Sequence, residues 1–354
     1  VPPLVKPYSE TLDDAWRLHL MPRSPEAPTV VSTFAGCGGS SLGYSMAGYR
    51  ELLAVEWDEM AATTFKLNFP AVPMFHGDIT ALSVEECLSL AGIRKGELDV
   101  LDGSPPCQGF STAGSRKYAD SRNNLFMEYV RLLRGLKPRC FVAENVSGMV
   151  QGKMKLIFAE VLRELKASGY RVRARLLNAM YYGVPQSRER LIFIGIREDL
   201  DLEPSHPKGQ TIPITTWQAI GHLGNEQIPE RGHVWLDESP QGRNTKTWVK
   251  AMKAKPGENY AGQRIRGRWD RSSFTLTTGF PVHYLSSVGC HPRFTRTYSL
   301  LERRLLSSFP EPFKFTGTMQ AGIKQTGNCV PPLFMRAIAE HVKQVLGCTA
   351  AARG

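Results

Sequence analysis

Cys107 stands in the string Gly103-Ser104-Pro105-Pro106-Cys107-Gln108-Gly109, just past an apolar run at Leu98–Leu101 that reads as a buried strand. Two prolines fix φ and remove two backbone donors, so the thiol sits on a stiff loop. A cysteine held in that way can meet a flat electrophile from one side. A lone cysteine in a proline turn is more often packed than reactive, so the loop gains meaning only from its neighbours.

Three other strand ends carry residues that could complete a site. Phe34-Ala35-Gly36-Cys37-Gly38-Gly39 lies between the first strand and the first helix, where bare backbone can approach a ligand and a helix start favours a negative group. Glu56 follows Phe34 by 22 residues and ends a second strand, the spacing at which a carboxylate accepts ribose hydroxyls. Asp78, in Gly77-Asp78-Ile79, ends a third and is placed to accept from an adenine amino group. A dinucleotide dehydrogenase would need the third glycine of G-x-G-x-x-G, and that spacing is not met.

The elements needed to position these residues alternate strand with helix. Strands are expected at 29–34, 52–55, 72–76, 98–101, 140–143, 172–177 and 191–196, with helices at 40–47, 59–68, 123–136 and 153–168. That order predicts an α/β fold with a mostly parallel sheet covered on both faces. Ser299-Leu300-Leu301-Glu302 reads as a capping box opening a helix to about 309, and a last helix is expected at 333–346. Residues 1–28 read as a proline-dotted arm with a short helix at 13–20. The catalytic and cofactor domain would be 29–197, a target-recognition domain 198–270, and 271–354 a return to the catalytic domain.

The 354 residues are 42% hydrophobic, enough for a large core, and carry a net charge of +11 that favours a polyanionic partner. Between Arg243 and Arg271 nine Lys or Arg oppose two acids, with Trp248, Tyr260 and Trp269 interleaved; Arg243, Lys246, Lys250, Arg264 and Arg266 are candidate phosphate contacts. No apolar run is long enough to span a membrane and no secretory leader is evident. Seven cysteines without metal-ligand spacing suggest free thiols in a reducing compartment and no metal. The expectation is a cytoplasmic, nucleoid-associated protein acting as a monomer, without a membrane partner.

Five segments in order resemble the DNA cytosine-5 methyltransferase family over roughly residues 29–346: the Phe34 loop, the Pro105–Gly109 loop, Glu144-Asn145-Val146, Gln186-Ser187-Arg188-Glu189-Arg190, and Gln325-Thr326-Gly327-Asn328-Cys329-Val330. The resemblance implies a Rossmann-like, doubly wound methyltransferase sheet with a smaller, irregular recognition domain. It further implies S-adenosyl-L-methionine as cofactor, S-adenosyl-L-homocysteine as product and double-stranded DNA as partner. Cys107 would be the nucleophile toward carbon 6 of a flipped-out cytosine. Glu144 would meet ring nitrogen 3 and the exocyclic amine, Arg190 oxygen 2, and Arg188 either target-strand phosphates or the loop itself. Phe34, Trp57 and Ile79 would contact adenine, Glu56 the ribose and Asp78 the amino group. Ala35, Gly36, Gly38 and Gly39 would supply backbone, Pro106 and Leu125 would line the pocket, and Asn328 and Val330 would meet the methionine end. Gln108 would touch DNA, and Thr275, in Ser273-Phe274-Thr275-Leu276-Thr277, would anchor the recognition domain. The family usually has Ser or Ala where this chain has Cys329, which weakens any side-chain hydrogen bond there. A transfer-RNA methyltransferase of the same lineage would carry a Cys-Phe-Thr element, absent here, and a catalytically dead relative would be expected to have lost Cys107, Glu144 or Arg190.

Overall fold

The computed structural model describes residues 6–106, 121–152, 154–210, 212–224, 250, 253–261, 264–278, 291–293 and 298–348. Helix α1 (Tyr8–Leu20) precedes β1 (Thr29–Thr33), α2 (Gly39–Met46), β2 (Arg50–Glu56), α3 (Glu59–Asn68), β3 (Met74–His76) and α4 (Val84–Ala91). Then come β4 (Val100–Gly103), α5 (Ser121–Leu136), β5 (Cys140–Val146), α6 (Met154–Lys166), β6 (Tyr170–Asn178) and β7 (Glu189–Arg197). The remaining elements are α7 (Thr216–Ile220), β8 (Asn259–Ala261), β9 (Arg264–Ile265), α8 (Leu300–Leu306), α9 (Met319–Asn328) and α10 (Pro332–Val345).

Seven strands form one sheet in the order β3-β2-β1-β4-β5-β7-β6. β3, β2, β1, β4 and β5 pair in parallel, whereas β7 runs antiparallel to β5. The fold is therefore the expected α/β, Rossmann-like arrangement, with one strand reversed. β1 and β4 are buried at every position and β5 at all but its last, so these strands are covered on both faces and small polar residues such as Ser32 and Thr33 lie inside. One face packs Val31, Leu53, Leu101 and Phe141 against Cys87 of α4, Tyr129 and Leu133 of α5, and Val161 of α6. Gly195 is required on β7, since a Cβ there would stand 2.0 Å from the ring of Phe141.

The chain divides into two compact units. One comprises Leu18–Leu177, Glu189–Lys208 and Met335–Gly354 and holds the sheet; the other comprises Val1–Arg17, Asn178–Arg188 and Gly209–Phe334. Of the stretch expected as a recognition domain, 198–270, the part up to 208 falls in the sheet unit, and the rest shares a unit with two other segments, Val1–Arg17 and Asn178–Arg188.

In the sheet unit α10 and the residue after it are tied back to the sheet. Tyr49 Oη donates to the Ala339 carbonyl (3.1 Å), and Arg139 donates to Asp99 (2.8 Å) and to the Leu346 carbonyl (3.0 Å). Between β1 and α2 lies a buried polar cluster: Ser32 pairs across with Asp102, Tyr44 Oη donates to Asp102 (3.3 Å), and Ser41 donates to Glu51 (2.8 Å). Burial pushes the carboxyl of Asp102 up to about 8 and that of Glu51 up to about 7.

The arm is more helical than expected. Tyr8, Leu12 and Ala15 recur at helical spacing and are buried, so the helix begins right after Pro7. α4 was not anticipated, although Ser83 accepts from Glu86 N as a conventional N-cap. α9 was not anticipated either; Gly322, Thr326, Gly327 and Asn328 are poor helix formers.

Candidate active site

The glycine loop leaves β1 with a strained residue. Phe34 has φ 54°, a left-handed conformation uncommon outside glycine, and Gly36 follows at φ 56°. A Cβ at Gly36 would meet nothing within 4 Å, so space lies open there. Gly38, at φ 97°, is shut in instead: a Cβ would stand 2.4 Å from the ring of Phe69. Ala35 N donates to the Val55 carbonyl (3.0 Å), locking the loop to β2, and Gly39 opens α2.

Glu56 ends β2 with its carboxylate folded back on this loop. It is 6% exposed and accepts from Gly36 N (2.7 Å), Trp57 N (3.0 Å) and Asp58 N (2.8 Å). Burial raises its pKa above the usual carboxylate range, against those three donors. Two of the bonds fall on Oε1 and one on Oε2, which leaves acceptor capacity for a ligand hydroxyl. Trp57 is 74% exposed, a large indole face with no packing role, beside Asp58, which caps α3. Asp78 is exposed and caps the short turn Ile79–Ala81 by accepting from Thr80 N (2.9 Å); Ile79 is buried. These are the features that suit an adenosine: an apolar ring face, an acid for two hydroxyls, a second acid and open space over glycine backbone. Pro106 is half-buried, and Leu125 packs half-buried against the core beneath the sheet.

The second group assembles where β5 and β7 pair. Antiparallel register sets Glu144 opposite Ile192 and Val146 opposite Arg190. Arg190 Nε meets Glu144 Oε1 at 2.6 Å, an ion pair with both side chains mostly buried. Asn145, quoted in the sequence motif without a role, donates from Nδ2 to the Pro105 carbonyl (3.0 Å) and receives Val146 N on Oδ1 (2.9 Å). It ties the end of β5 to the proline loop that leads into Cys107. Cys107 and Gln108 themselves lie outside the described residues, as do Arg243 and Lys246.

The other unit holds its share of the motifs in a different manner. Arg188 is 1% exposed and donates to the carbonyls of Leu276 (3.0 Å), Gly327 (2.8 Å) and Cys329 (2.9 Å). That geometry fits a residue holding the loop and not one offered to phosphates. Gln186, fully buried, donates to Leu306 O (3.2 Å) and accepts from Leu276 N (3.1 Å). Thr275 Oγ1 donates to Ser187 O (2.7 Å), and Ser187 N donates to Ser273 O (2.7 Å), so the segment 273–277 is stitched along 186–188. Arg303, unremarked in the sequence, is 0% exposed and reaches Thr277 O (2.7 Å) and Thr326 Oγ1 (3.1 Å). Asn328 is exposed at the end of α9, Val330 is buried, and the Cys329 thiol donates to Thr326 O (3.1 Å). Arg266, expected at phosphates, is 6% exposed and donates to the carbonyls of Pro292 and Arg293; carbonyl-rich irregular backbone has taken it. Lys250 is exposed, and Arg264 lies on β9.

Comparison with known proteins agrees with this geometry. The family model for C-5 cytosine-specific DNA methylase matches residues 29–344. Type II methyltransferase M1.HphI of Haemophilus parahaemolyticus is 34% identical, over 89% of this chain and 86% of its own length. Type II methyltransferase M.XorII of Xanthomonas oryzae pv. oryzae is 33% identical, over 90% and 85%. A crystal structure of a candidate DNA modification methyltransferase encoded within an E. coli prophage superposes with a TM-score of 0.74 at 25% identity, covering 91% of this chain and all of that one.

Proposed function

Since the chain belongs to the C-5 cytosine-specific DNA methylase family of Type II restriction-modification enzymes, we propose that it methylates carbon 5 of a flipped-out cytosine in a specific duplex site through a covalent Cys107 adduct. The observation that supports this most directly is the Glu144–Arg190 pair, at 2.6 Å, beside a proline loop tethered by Asn145.

Carbon 5 of cytosine is too weak a nucleophile to react unaided. The Cys107 thiolate adds to carbon 6, and electron density moves onto ring nitrogen 3 and oxygen 2. Arg190 meets oxygen 2, and Glu144, whose Oε1 already holds Arg190, turns Oε2 toward nitrogen 3 and the amine; the proton for nitrogen 3 is carried on that oxygen. When bound, S-adenosylmethionine supplies the electrophilic methyl group. After transfer, a base, for which water suffices, removes the carbon 5 proton, the carbon 5–carbon 6 double bond re-forms, the sulfur leaves as thiolate and nitrogen 3 returns its proton to Glu144. Phe34, Trp57 and Ile79 hold the adenine, Asp78 its amino group and Glu56 the ribose. Ala35, Gly36, Gly38 and Gly39 give the close backbone, Pro106 and Leu125 line the pocket, and Asn328 and Val330 take the methionine end.

The target carbon is hidden in a stacked duplex and the stiff loop cannot travel to it, so the base must swing out, at a cost of a few kcal/mol. Basic residues, Lys250 among them, offset that cost on phosphates. Thr275 and Arg188 act on the fold of the recognition side.

Tritium from methyl-labelled S-adenosylmethionine should enter duplex DNA and not transfer RNA; incorporation into transfer RNA alone would move the target assignment. Duplex carrying 5-fluorocytosine at the site should form a denaturation-resistant adduct, since fluorine blocks the last elimination. No adduct with the wild type, or full methylation by Cys107→Ser, would defeat the covalent route. Glu56→Ala should weaken cofactor binding by about 1.5–3 kcal/mol in calorimetry, the range for a lost charged partner.

A further inference from the structure

Helix α2 begins with the glycine loop and is only eight residues long, too short to fix its own position. It has no side-chain N-cap, no acid in its first turn and no base in its last. A cation for its C-terminal end comes instead from Arg23, ahead of the family-matched segment. Arg23 Nη2 donates to Ser45 O (2.5 Å) and Ser45 Oγ (3.2 Å) on α2, and to Leu18 O (2.7 Å) and His19 O (3.2 Å) at the end of α1; Nη1 reaches Met21 O. One guanidinium thus closes the carbonyl ends of two helices, the pole where positive charge is favoured.

The neighbouring His19 contacts what lies at both ends of α2. Its Nδ1 lies 2.9 Å from Ser45 Oγ, and its ring packs edge-on against Phe69 with centroids 5.3 Å apart. Phe69 is the ring that closes over Gly38, in the turn that leads into α2. Burial, and then the charge of Arg23, lower the His19 pKa to about 4, so the imidazole stays neutral at physiological pH. Both poles of the short helix are therefore held by the segment 18–23 and its contact ring.

We propose that Arg23 is a positioning residue for the cofactor end of the site, holding α2 from its far pole so that the Gly36–Gly39 backbone stays in its binding conformation. This rests on the reading of the glycine loop as the S-adenosylmethionine site. The role is indirect: Arg23 touches helix ends and no reacting atom.

The test uses the full chain, S-adenosylhomocysteine as the calorimetric probe, and steady-state methylation of duplex DNA. Arg23→Gln should weaken the probe about tenfold, the loss of roughly one charged hydrogen bond. It should raise KM for S-adenosylmethionine by a similar factor, with kcat at saturating cofactor and KM for DNA unchanged. Arg23→Lys should restore part of the affinity, since an ammonium can still cap a carbonyl. Should Arg23→Gln not fold, Ser45→Ala removes only hydroxyl contacts and should weaken the probe about threefold. Affinity within twofold of wild type, or a fall in kcat with KM unmoved, overturns the proposal. Glu56→Ala run alongside separates two failures. Loss of affinity there but not at position 23 refutes the positioning role alone, whereas a wild type that does not bind the probe refutes the cofactor reading and the proposal with it.

Discussion

Arg188 and Arg190 belong to one motif, two residues apart, yet the two units use them in opposite ways. Arg190 lies on β7, where it pairs with β5; its guanidinium donates to one carbonyl, of the adjacent Glu189 (2.7 Å), and turns Nε to the Glu144 carboxylate. Arg188 precedes the strand, and two of its nitrogens donate to three carbonyls, of Leu276 in the irregular segment 273–277 and of Gly327 and Cys329 at the C-terminal end of α9. The same contrast runs through both units. Glu56, Trp57 and Asp78 stand at or just past the ends of regular strands, while Gln186, Arg266 and Arg303 are spent on carbonyls of loops and of a helix end. Buried backbone must find partners, and where secondary structure does not supply them, side chains do. Paired strands leave polar side chains for chemistry; loops and helix ends, with carbonyls to satisfy, consume them.

The contrast can be broken most forcefully at Arg188. Arg188→Met strands three buried carbonyls and should cost about 3 kcal/mol or more of stability, read in urea unfolding by tryptophan fluorescence. Normal stability with abolished methylation would instead make Arg188 part of the chemistry. Arg190→Met should do the reverse, lowering kcat/KM about a hundredfold or more, as for a lost oxyanion partner, while the melting temperature moves little. A large stability loss there would erase the distinction between the two arginines.

A finer test lies in the buried acids of the sheet unit. Asp102 and Glu51 keep their protons in the folded state to about pH 8 and about pH 7, well above unfolded carboxyls. The folded state therefore binds more protons than the unfolded chain above about pH 4, and stability falls as pH rises toward those values. Between about pH 7 and pH 9 the loss should be on the order of 2 kcal/mol. Asp102→Asn, which mimics the protonated acid, should flatten the alkaline limb of a melting-temperature profile; an unchanged slope would mean the proton is held elsewhere. The smallest effect is expected at Thr275→Val, about 1 kcal/mol for one neutral hydrogen bond, with methylation intact in the folded fraction.

How far these sites could be read from the sequence follows the same divide. Glu56 and Asp78 were legible as strand-end acids because a parallel sheet puts its strand ends at one edge and strand runs are plain in an apolar pattern, whereas Glu144 came with the family resemblance. The ranges 59–68 for α3 and 140–143 within β5 came from that pattern alone. Arg266 was misread as a phosphate contact because a sequence shows charge and not the local density of unpaired carbonyls. Asn145 and Gln186 gave no sign of their roles, since each acts on backbone far away along the chain, at Pro105 and at Leu276 and Leu306. The reversal of β7 was hidden as well, because strand direction is a matter of connection and not of composition.

Arg139 gives the fold a schedule. It sits at the mouth of β5, and one of its acceptors, the Leu346 carbonyl, is 207 residues further along the chain. Tyr49 waits even longer, 290 residues, for Ala339. A ribosome therefore delivers all seven strands before the helix that completes this side of the sheet exists, and the newborn unit spends that interval with an uncovered flank. The sheet unit is therefore closed only after residues 209–334 of the other unit have been made.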